Sequence, residues 1–255
     1  MADPRRRRTH VDERLPLRQH LWPPGRAVKP SVDSWAARVA PVERSLDEAR
    51  ATYDRLAPWY DWVEAPFEHH ARAAGLRLLA ARPGEQVLEI GVGSGHTLSA
   101  LARQVGPEGS LVGIDLSLRM AQASRRRLFR ENWGVPLALI QADACHLPLR
   151  AASVDAITMS FTLELMATED IPTVLTQCRR VLRPTGRITV VSLALRDESN
   201  LMTRLYLAAH RRWPRMIDCR PLPLRDVLVS NGFTVCRTWS GAIAGLPVIA
   251  ITAQR

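Results

Sequence analysis

Cysteine is scarce in this chain, and its few positions exclude two kinds of site. Only 4 of the 255 residues are Cys. They stand far apart and form no C-x-x-C pair, so their spacing indicates neither a zinc site nor a dithiol redox centre. With no disulfide framework, a reducing, cytoplasmic setting is the default expectation. The four positions are Cys145, Cys178, Cys219 and Cys236.

Long apolar runs are also missing. No stretch reaches the roughly 20 apolar residues that a membrane-spanning helix needs. Arg5 to Arg8 stand near the N-terminus, but no apolar stretch follows them, so the pattern is not that of a secretory signal. Hydrophobic residues make up 46% and charged residues 24% of the chain, as in ordinary soluble proteins. We expect a cytoplasmic protein whose contact with a membrane, if any, is peripheral and at its inner face.

Acidic residues are outnumbered, and the excess of positive charge is uneven. The formal net charge is +10, and half of it lies in residues 1–30, which hold eight basic groups and three acids. Residues 1–45 are rich in Arg and Pro and keep no helical or strand period, which predicts a flexible basic arm before a folded domain over 46–255. A basic chain can bind nucleic acid or an anionic membrane. We interpret most of this charge as a solvated surface.

The chain does contain a glycine-rich turn between a strand and a helix. The apolar run Gln86 to Ile90 predicts a buried parallel strand. Three glycines follow at alternate positions, where the missing Cβ atoms let the backbone turn sharply and approach a ligand. Ser94 or Thr97 could cap the next helix, whose free N–H groups would point at that ligand. The glycines are Gly91, Gly93 and Gly95.

Two details narrow the choice of ligand. His96 interrupts the dinucleotide fingerprint G-x-G-x-x-G. Glu89 stands two residues before the first glycine, where its carboxylate would repel a pyrophosphate but tolerate a cation. S-adenosylmethionine carries a sulfonium and an ammonium and no phosphate. The loop therefore predicts a site for that cofactor, and a glycine-rich turn without a ligand is the alternative.

Two acids follow the next strands. Asp115 ends the predicted strand from Gly109, about twenty residues beyond the glycines, where an acid reaches ribose hydroxyls. Ser117 is predicted to cap a helix with Met120 on its first turn. Asp143 follows the third strand, where its carboxylate could accept from an amine such as that of adenine. A capping or loop acid is the structural alternative for Asp115.

Strands and helices alternate as far as a terminal pair of strands, which predicts an α/β fold. The fourth strand, Val154 to Ser160, opens at the carboxyl edge of the sheet, where ligands of open α/β sheets bind. Residues 198–217 are predicted to form an inserted basic amphipathic helix, whose segment 204–215 could touch an anionic membrane. Of the aromatic residues before the first strand, Tyr53 and Tyr60 are predicted to contact the ligand.

Taken together, these motifs resemble class I S-adenosylmethionine-dependent methyltransferases over roughly residues 47–253. The resemblance implies a Rossmann-like, seven-stranded, mostly parallel sheet with an antiparallel last strand and helices on both faces. The motifs are the loop Val87 to Gly95, Asp115, Asp143-Ala144, Ser160 to Leu165 and Arg180 to Arg187. Within the class, Tyr53 to Ala57 with Tyr60-Asp61 resembles the ubiquinone/menaquinone C-methyltransferase group.

The resemblance also implies roles for particular residues. The three glycines would line the methionine portion of the cofactor, and Asp115 would hold its ribose. Met120, Asp143 and Ala144 would contact the adenine, while the Ser160 backbone would face the cofactor. Tyr53 and Tyr60 would cover the methyl group.

The reaction implied is an in-line displacement at the sulfonium methyl, and a base is needed only if the acceptor atom carries a proton. Glu164 and His69 are the catalytic candidates, with His70 beside them. A small or lipophilic, quinol-like acceptor is favoured. The alternatives are a phospholipid N-methyltransferase and a non-catalytic cofactor-binding protein. A nucleic-acid substrate is not expected, because Ser160 to Leu163 lacks the Asn/Asp-Pro-Pro-aromatic motif of amino-methylating enzymes. Neither a metal nor a particular oligomeric state is predicted.

Overall fold

A computed structural model describes residues 31–42, 45–57, 65–195, 206 and 219–255, with side chains for all of these except 65–67. Seven strands form its sheet: β1 (Gln86–Ile90), β2 (Ser110–Asp115), β3 (Leu137–Gln141), β4 (Val154–Ser160), β5 (Leu182–Leu193), β6 (Thr234–Ile243) and β7 (Leu246–Gln254). The helices are α1 (Val32–Ala36), α2 (Leu46–Leu56), α3 (Ala65–Leu79), α4 (His96–Val105), α5 (Leu118–Glu131), α6 (Ile171–Val181) and α7 (Leu224–Ser230). Short 3₁₀ turns lie at Ala144–His146 and Leu163–Leu165.

The strand order is β3-β2-β1-β4-β5-β7-β6. β1 is parallel to both β2 and β4, and β7 is antiparallel to both β5 and β6. The predicted fold class is thereby confirmed. Chain direction places β1 at the point where the strand order reverses, and a crevice for a ligand opens there at the carboxyl ends of the strands.

Alternation along β1 shows why helices cover both faces of the sheet. Val87 packs in one cluster with Leu98 and Leu101 of α4, whereas its neighbour Leu88 packs in another with Val174 of α6. All five side chains are buried. Because successive strand residues point to opposite faces, this run of apolar residues builds two cores at once.

The start of β5 contains a proline and a glycine. β5 begins at Leu182, and its pairing with β4 shifts register between Val154 and Ala156. Pro184 and Gly186 lie in the part of β5 that bulges. A segment that contains Pro and Gly is typical of a turn, but both residues are also tolerated where a strand bulges.

The described part of the predicted N-terminal arm packs against the domain. Residues 31–42 include α1, whose Trp35 is completely buried in the larger core cluster. Arg38 forms an ion pair with Asp226 of α7. The folded unit therefore includes residues before 46, because burial of one large aromatic side chain outweighs the polar composition around it. Residues 1–30 lie outside the described residues.

The predicted inserted helix over 198–217 also lies outside the described residues, apart from Tyr206, whose hydroxyl donates to the Cys219 carbonyl at 2.6 Å. Within the described part of the chain, no helix has the length and apolar character that crossing a bilayer requires.

Candidate functional site

The glycine-rich turn is pressed between two neighbouring elements. Gly91, Gly93 and Gly95 all have positive φ angles, of 76°, 49° and 86°. A Cβ atom at Gly91 would lie 2.3 Å from the Thr162 hydroxyl oxygen, and one at Gly95 would lie 2.5 Å from the Ser124 hydroxyl oxygen. Both the backbone conformation and the lack of space therefore require glycine at these two positions.

Asp115 connects the turn to the start of α5. Its Oδ2 accepts from the Gly93 N–H at 3.0 Å and its Oδ1 from the Ser117 N–H at 2.8 Å. Burial raises the pKa of this carboxyl to about 6, although the two backbone donors oppose the shift, and Asp54 adds to it. Each carboxylate oxygen can accept further hydrogen bonds, so the group can also serve a hydroxylated ligand.

Ser117 caps α5 as predicted, because its hydroxyl accepts from the Met120 N–H at 3.1 Å. The same hydroxyl donates to Asp54 of α2 at 2.6 Å, which holds α2 beside the turn. The cap predicted for α4 is different in the structure. Gly95 occupies the N-cap position of α4 in a left-handed conformation, and neither Ser94 nor Thr97 supplies a side-chain cap.

Glu89, near the end of β1, lies beside the start of α4. Its carboxyl is 1% exposed and faces the Thr97 hydroxyl and the Leu98 N–H. Burial raises its pKa well above the usual range, against the lowering effect of these donors and of the Arg72 charge. The second oxygen, Oε2, is buried without a hydrogen-bond partner among the described residues. A buried acceptor left in this state is costly, and a cationic ligand would satisfy it.

A small cavity of about 20 Å³ lies beside Glu89. Arg72 of α3 lines it and donates to Glu68 at 2.8 Å, one helical turn earlier. A carboxylate and a guanidinium on the same small cavity suit the ammonium and the carboxylate of an amino acid. Arg72 was not predicted from the sequence, since an Arg in a basic, amphipathic helix gives no signal of its own.

A cavity of about 300 Å³ adjoins the small one, with which it shares Gly91, Gly93 and Ser160. Its floor is the carboxyl edge of the sheet, and α2 with the segment before it closes over the top. Of the residues predicted to bind a cofactor, its lining includes Tyr53, Gly91, Gly93, Asp115, Met120, Asp143, Ala144 and Ser160. Of the remaining predicted residues, Glu89 lines only the small cavity and Gly95 lines neither cavity. Tyr60 lies outside the described residues.

Asp143 holds the turn after β3. Its Oδ1 accepts from the Cys145 N–H at 2.9 Å, and its Oδ2 lies 3.6 Å from His146 Nδ1. The carboxylate is thus fixed in the cavity wall by its own 3₁₀ turn, next to Ala144. Asp143 and Ala144 are therefore accessible to a ligand in the larger cavity, and their predicted contact with adenine stays a prediction.

The structure does not bring the predicted catalytic residues to either cavity. Glu164 is completely buried in the wall behind the larger cavity, where its Oε1 accepts from the Leu193 N–H at 3.2 Å. His69 is exposed on α3, and its ring meets that of His70 edge to face at 5.7 Å. A role as general base for either residue stays a prediction that this geometry does not favour.

Arg220 is a structural residue of the site that sequence reasoning missed. It is completely buried, and burial lowers its pKa to about 10. Its guanidinium donates to Thr168 Oγ1 at 2.6 Å and to the carbonyl oxygens of Glu164, Met166 and Ala40. It therefore ties the segment before α2 to the β4–α6 connection, and both of these segments line the larger cavity. Nothing in the sequence around position 220 indicates this role.

Comparison with known proteins finds relatives of this chain by sequence and by fold. A family described as "Methyltransferase domain" matches residues 87–186. A 2-phytyl-1,4-naphtoquinone methyltransferase of Trichormus variabilis is 30% identical over 186 residues, covering 71% of this chain and 77% of the relative. Nocamycin O-methyltransferase of Saccharothrix syringae is 34% identical over 136 residues, covering 53% and 48%. Among solved structures, the [4+2]-cyclase SpnF shares the fold with a TM-score of 0.67 at 15% identity, covering 83% of this chain and 97% of that one.

Proposed function

Because the chain belongs to the class I S-adenosylmethionine-dependent methyltransferases, in the group related to the quinone C-methyltransferases, we propose that it methylates a small lipophilic, quinol-like acceptor. The cofactor is S-adenosylmethionine, which supplies an activated methyl group on its sulfonium. The observation that carries the assignment of the site is Glu89, whose buried carboxylate has an oxygen without a partner beside the glycine-rich turn.

The residues present fit this cofactor. Glu89 would pair with its ammonium and Arg72 with its carboxylate, since the two side chains line the same small cavity. Asp115 would accept from the ribose hydroxyls, and Asp143 with Ala144 would contact the adenine. The larger cavity, which shares Gly91, Gly93 and Ser160 with the small one, would then take the adenosyl part.

The chain's contribution to the reaction would be positioning and the exclusion of water. Positive charge disperses during methyl transfer from a sulfonium, so holding the two partners in line in a dry site can supply much of the acceleration. Apolar side chains from α2 and the β4–α6 connection, among them Leu46, Leu165 and Met166, line the larger cavity. Arg220 would keep these two walls together.

The acceptor is proposed on two grounds. The cyanobacterial relative is named for a quinone substrate, and the described wall of the larger cavity is largely apolar. An oxygen acceptor is the second candidate, because the relative from Saccharothrix is named an O-methyltransferase. We further propose a cytoplasmic protein that meets a lipophilic acceptor at the inner face of the membrane.

Titration calorimetry with S-adenosylmethionine and S-adenosylhomocysteine tests the cofactor site. Asp115→Ala should weaken binding about 10- to 100-fold, the range expected for losing hydrogen bonds to a charged group. Asp155→Ala is the matched control, because this acid accepts from the Gln86 N–H at 2.9 Å at the opposite edge of the sheet. Equal affinity of Asp115→Ala and wild type would refute the site.

Transfer of a labelled methyl group then tests the acceptor. Reduced naphthoquinones, simple phenols and phosphatidylethanolamine should be offered to the full chain side by side. Labelling of a quinol at carbon would support the favoured acceptor, and labelling at oxygen would support the second candidate. Labelling of phosphatidylethanolamine alone would replace both with a phospholipid substrate. Tight cofactor binding without transfer to any of them would favour a non-catalytic protein.

A further inference from the structure

Helix α5 has two faces of opposite character. Its inner face is buried and consists of small or apolar side chains, namely Met120, Ala121, Ser124 and Leu128. On the outer face, Leu118 is 45% exposed and Phe129 is 84% exposed. These two residues are eleven positions apart, which is three turns, so they lie on one stripe about 16 Å long. An exposed Phe of this extent is unusual for a residue that normally supplies core area.

Arginines fill the stripe between and beside these two apolar residues. We call Leu118, Arg119, Arg125, Arg126, Phe129 and Arg130 the basic–apolar face; all six are exposed. No acidic residue occurs from Leu118 to Arg130. Among the ion pairs between described residues, none involves these four arginines.

Two acids flank this face, and both accept hydrogen bonds from neutral donors. Asp54 accepts from the Ser117 hydroxyl and from the Arg119 N–H. Glu131, at the end of α5, accepts from the Trp133 indole N–H at 2.7 Å and from the Ser99 hydroxyl. The four guanidiniums of the face outnumber these two carboxylates, so the face is net positive and favours an anionic partner.

A groove of about 460 Å³ runs along one side of the face. Phe129, Arg126 and Arg130 line it, together with Ala57 at the end of α2. Arg127 fixes its inner wall, since its Nε donates to the Ser94 carbonyl at 2.8 Å. Phe129 can thus insert between apolar chains while neighbouring guanidiniums meet anionic groups beside it.

We propose that the basic–apolar face of α5 docks on a membrane surface that contains anionic lipids. The arginines would meet lipid phosphates, and Leu118 and Phe129 would enter the boundary between headgroups and acyl chains. A nucleic-acid partner would use the charges but leave Leu118 unused, because an aliphatic side chain cannot stack on a base. The inference deepens the proposed function, since Met120 on the inner face of α5 lines the larger cavity and docking would bring a lipophilic acceptor near it.

Co-sedimentation of the full chain with vesicles tests the docking. The vesicles are phosphatidylcholine alone and phosphatidylcholine mixed with phosphatidylglycerol, at low and high salt. Arg125→Gln/Arg126→Gln should bind the anionic vesicles roughly 30-fold more weakly, at about five-fold per arginine. Phe129→Ser should bind them about 10-fold more weakly. Arg150→Gln/Arg179→Gln removes the same charge from exposed positions elsewhere and should bind like wild type.

Three outcomes would overturn the inference. Equal losses in the two double variants would mean that net charge alone attracts the chain, and no loss in any variant would place the contact elsewhere. Loss of binding to a single-stranded RNA in the α5 variants, with vesicle binding intact, would assign the face to nucleic acid. Calorimetry with S-adenosylmethionine should give wild-type affinity for every variant, so the failure of this inference and the failure of the proposed function are distinguishable.

Discussion

Replacing Gly91 by Ala should disrupt the glycine-rich turn for two separable reasons. The residue has a φ of +76°, and a left-handed conformation costs an L-residue about 1 to 2 kcal/mol. The new Cβ would also lie 2.3 Å from the Thr162 hydroxyl oxygen and 2.9 Å from the Thr162 Cβ. Overpacking of this kind typically costs about 1 to 3 kcal/mol. We expect urea unfolding to show a loss of about 2 to 5 kcal/mol, with weaker cofactor binding.

A second substitution separates the two costs. Thr162→Gly removes the three atoms nearest to the new Cβ. In that background, Gly91→Ala should therefore cost only the backbone part, measured against Thr162→Gly alone. Thr162→Val has nearly the shape of Thr and should recover nothing. The assigned contacts are wrong if Gly91→Ala is as stable as wild type. They are also wrong if Gly91→Ala lowers the free energy of unfolding equally in the Thr162→Gly and Thr162→Val variants.

Two further predictions concern buried charges. The folded pKa of Glu89 is raised, so its stabilising contribution is present at low pH and is lost as the pH rises through that pKa. In thermal melts without cofactor, Glu89→Gln should therefore gain stability relative to wild type as the pH rises. The same variant should bind S-adenosylmethionine more weakly. A stability difference between variant and wild type that is constant across pH would contradict the first expectation. Arg220→Met leaves buried acceptors without their donor and should lower the free energy of unfolding by about 3 to 5 kcal/mol. Arg220→Lys should retain part of this stability, and urea unfolding within error of wild type for the Met variant would contradict the role.

The sheet and much of the cavity wall could be predicted from the sequence because their signals are local. A short apolar strand, a glycine-rich turn and an acid after the next strand each occupy a few consecutive residues, as Gln86–Ile90 and Asp115 illustrate. The alternation of strands and helices then places such motifs at one edge of the sheet. The positions of Met120, Asp143 and Ala144 in the cavity wall follow from the same rule.

The rest depends on contacts between distant parts of the chain. Arg72 matters because α3 carries it to the glycine-rich turn, and Arg220 matters because three segments meet around its guanidinium. Neither residue differs in local context from the many other arginines of this chain. Glu164 shows the opposite case. Its position after β4 indicated an open site, whereas its side chain is buried at the 3₁₀ turn, and its catalytic role stays a prediction.

Trp35 has a practical consequence for anyone who shortens this protein. Deleting residues 1–45, the segment whose composition predicts a flexible arm, would remove an indole that fills the core, and losing such a side chain typically costs about 3 to 5 kcal/mol. The partner of Asp226 and the cavity residue Val42 would be lost with it. A cut after residue 30 would spare all three, so a truncation that keeps this part of the core has to begin well upstream of residue 46, where the amino-acid pattern changes.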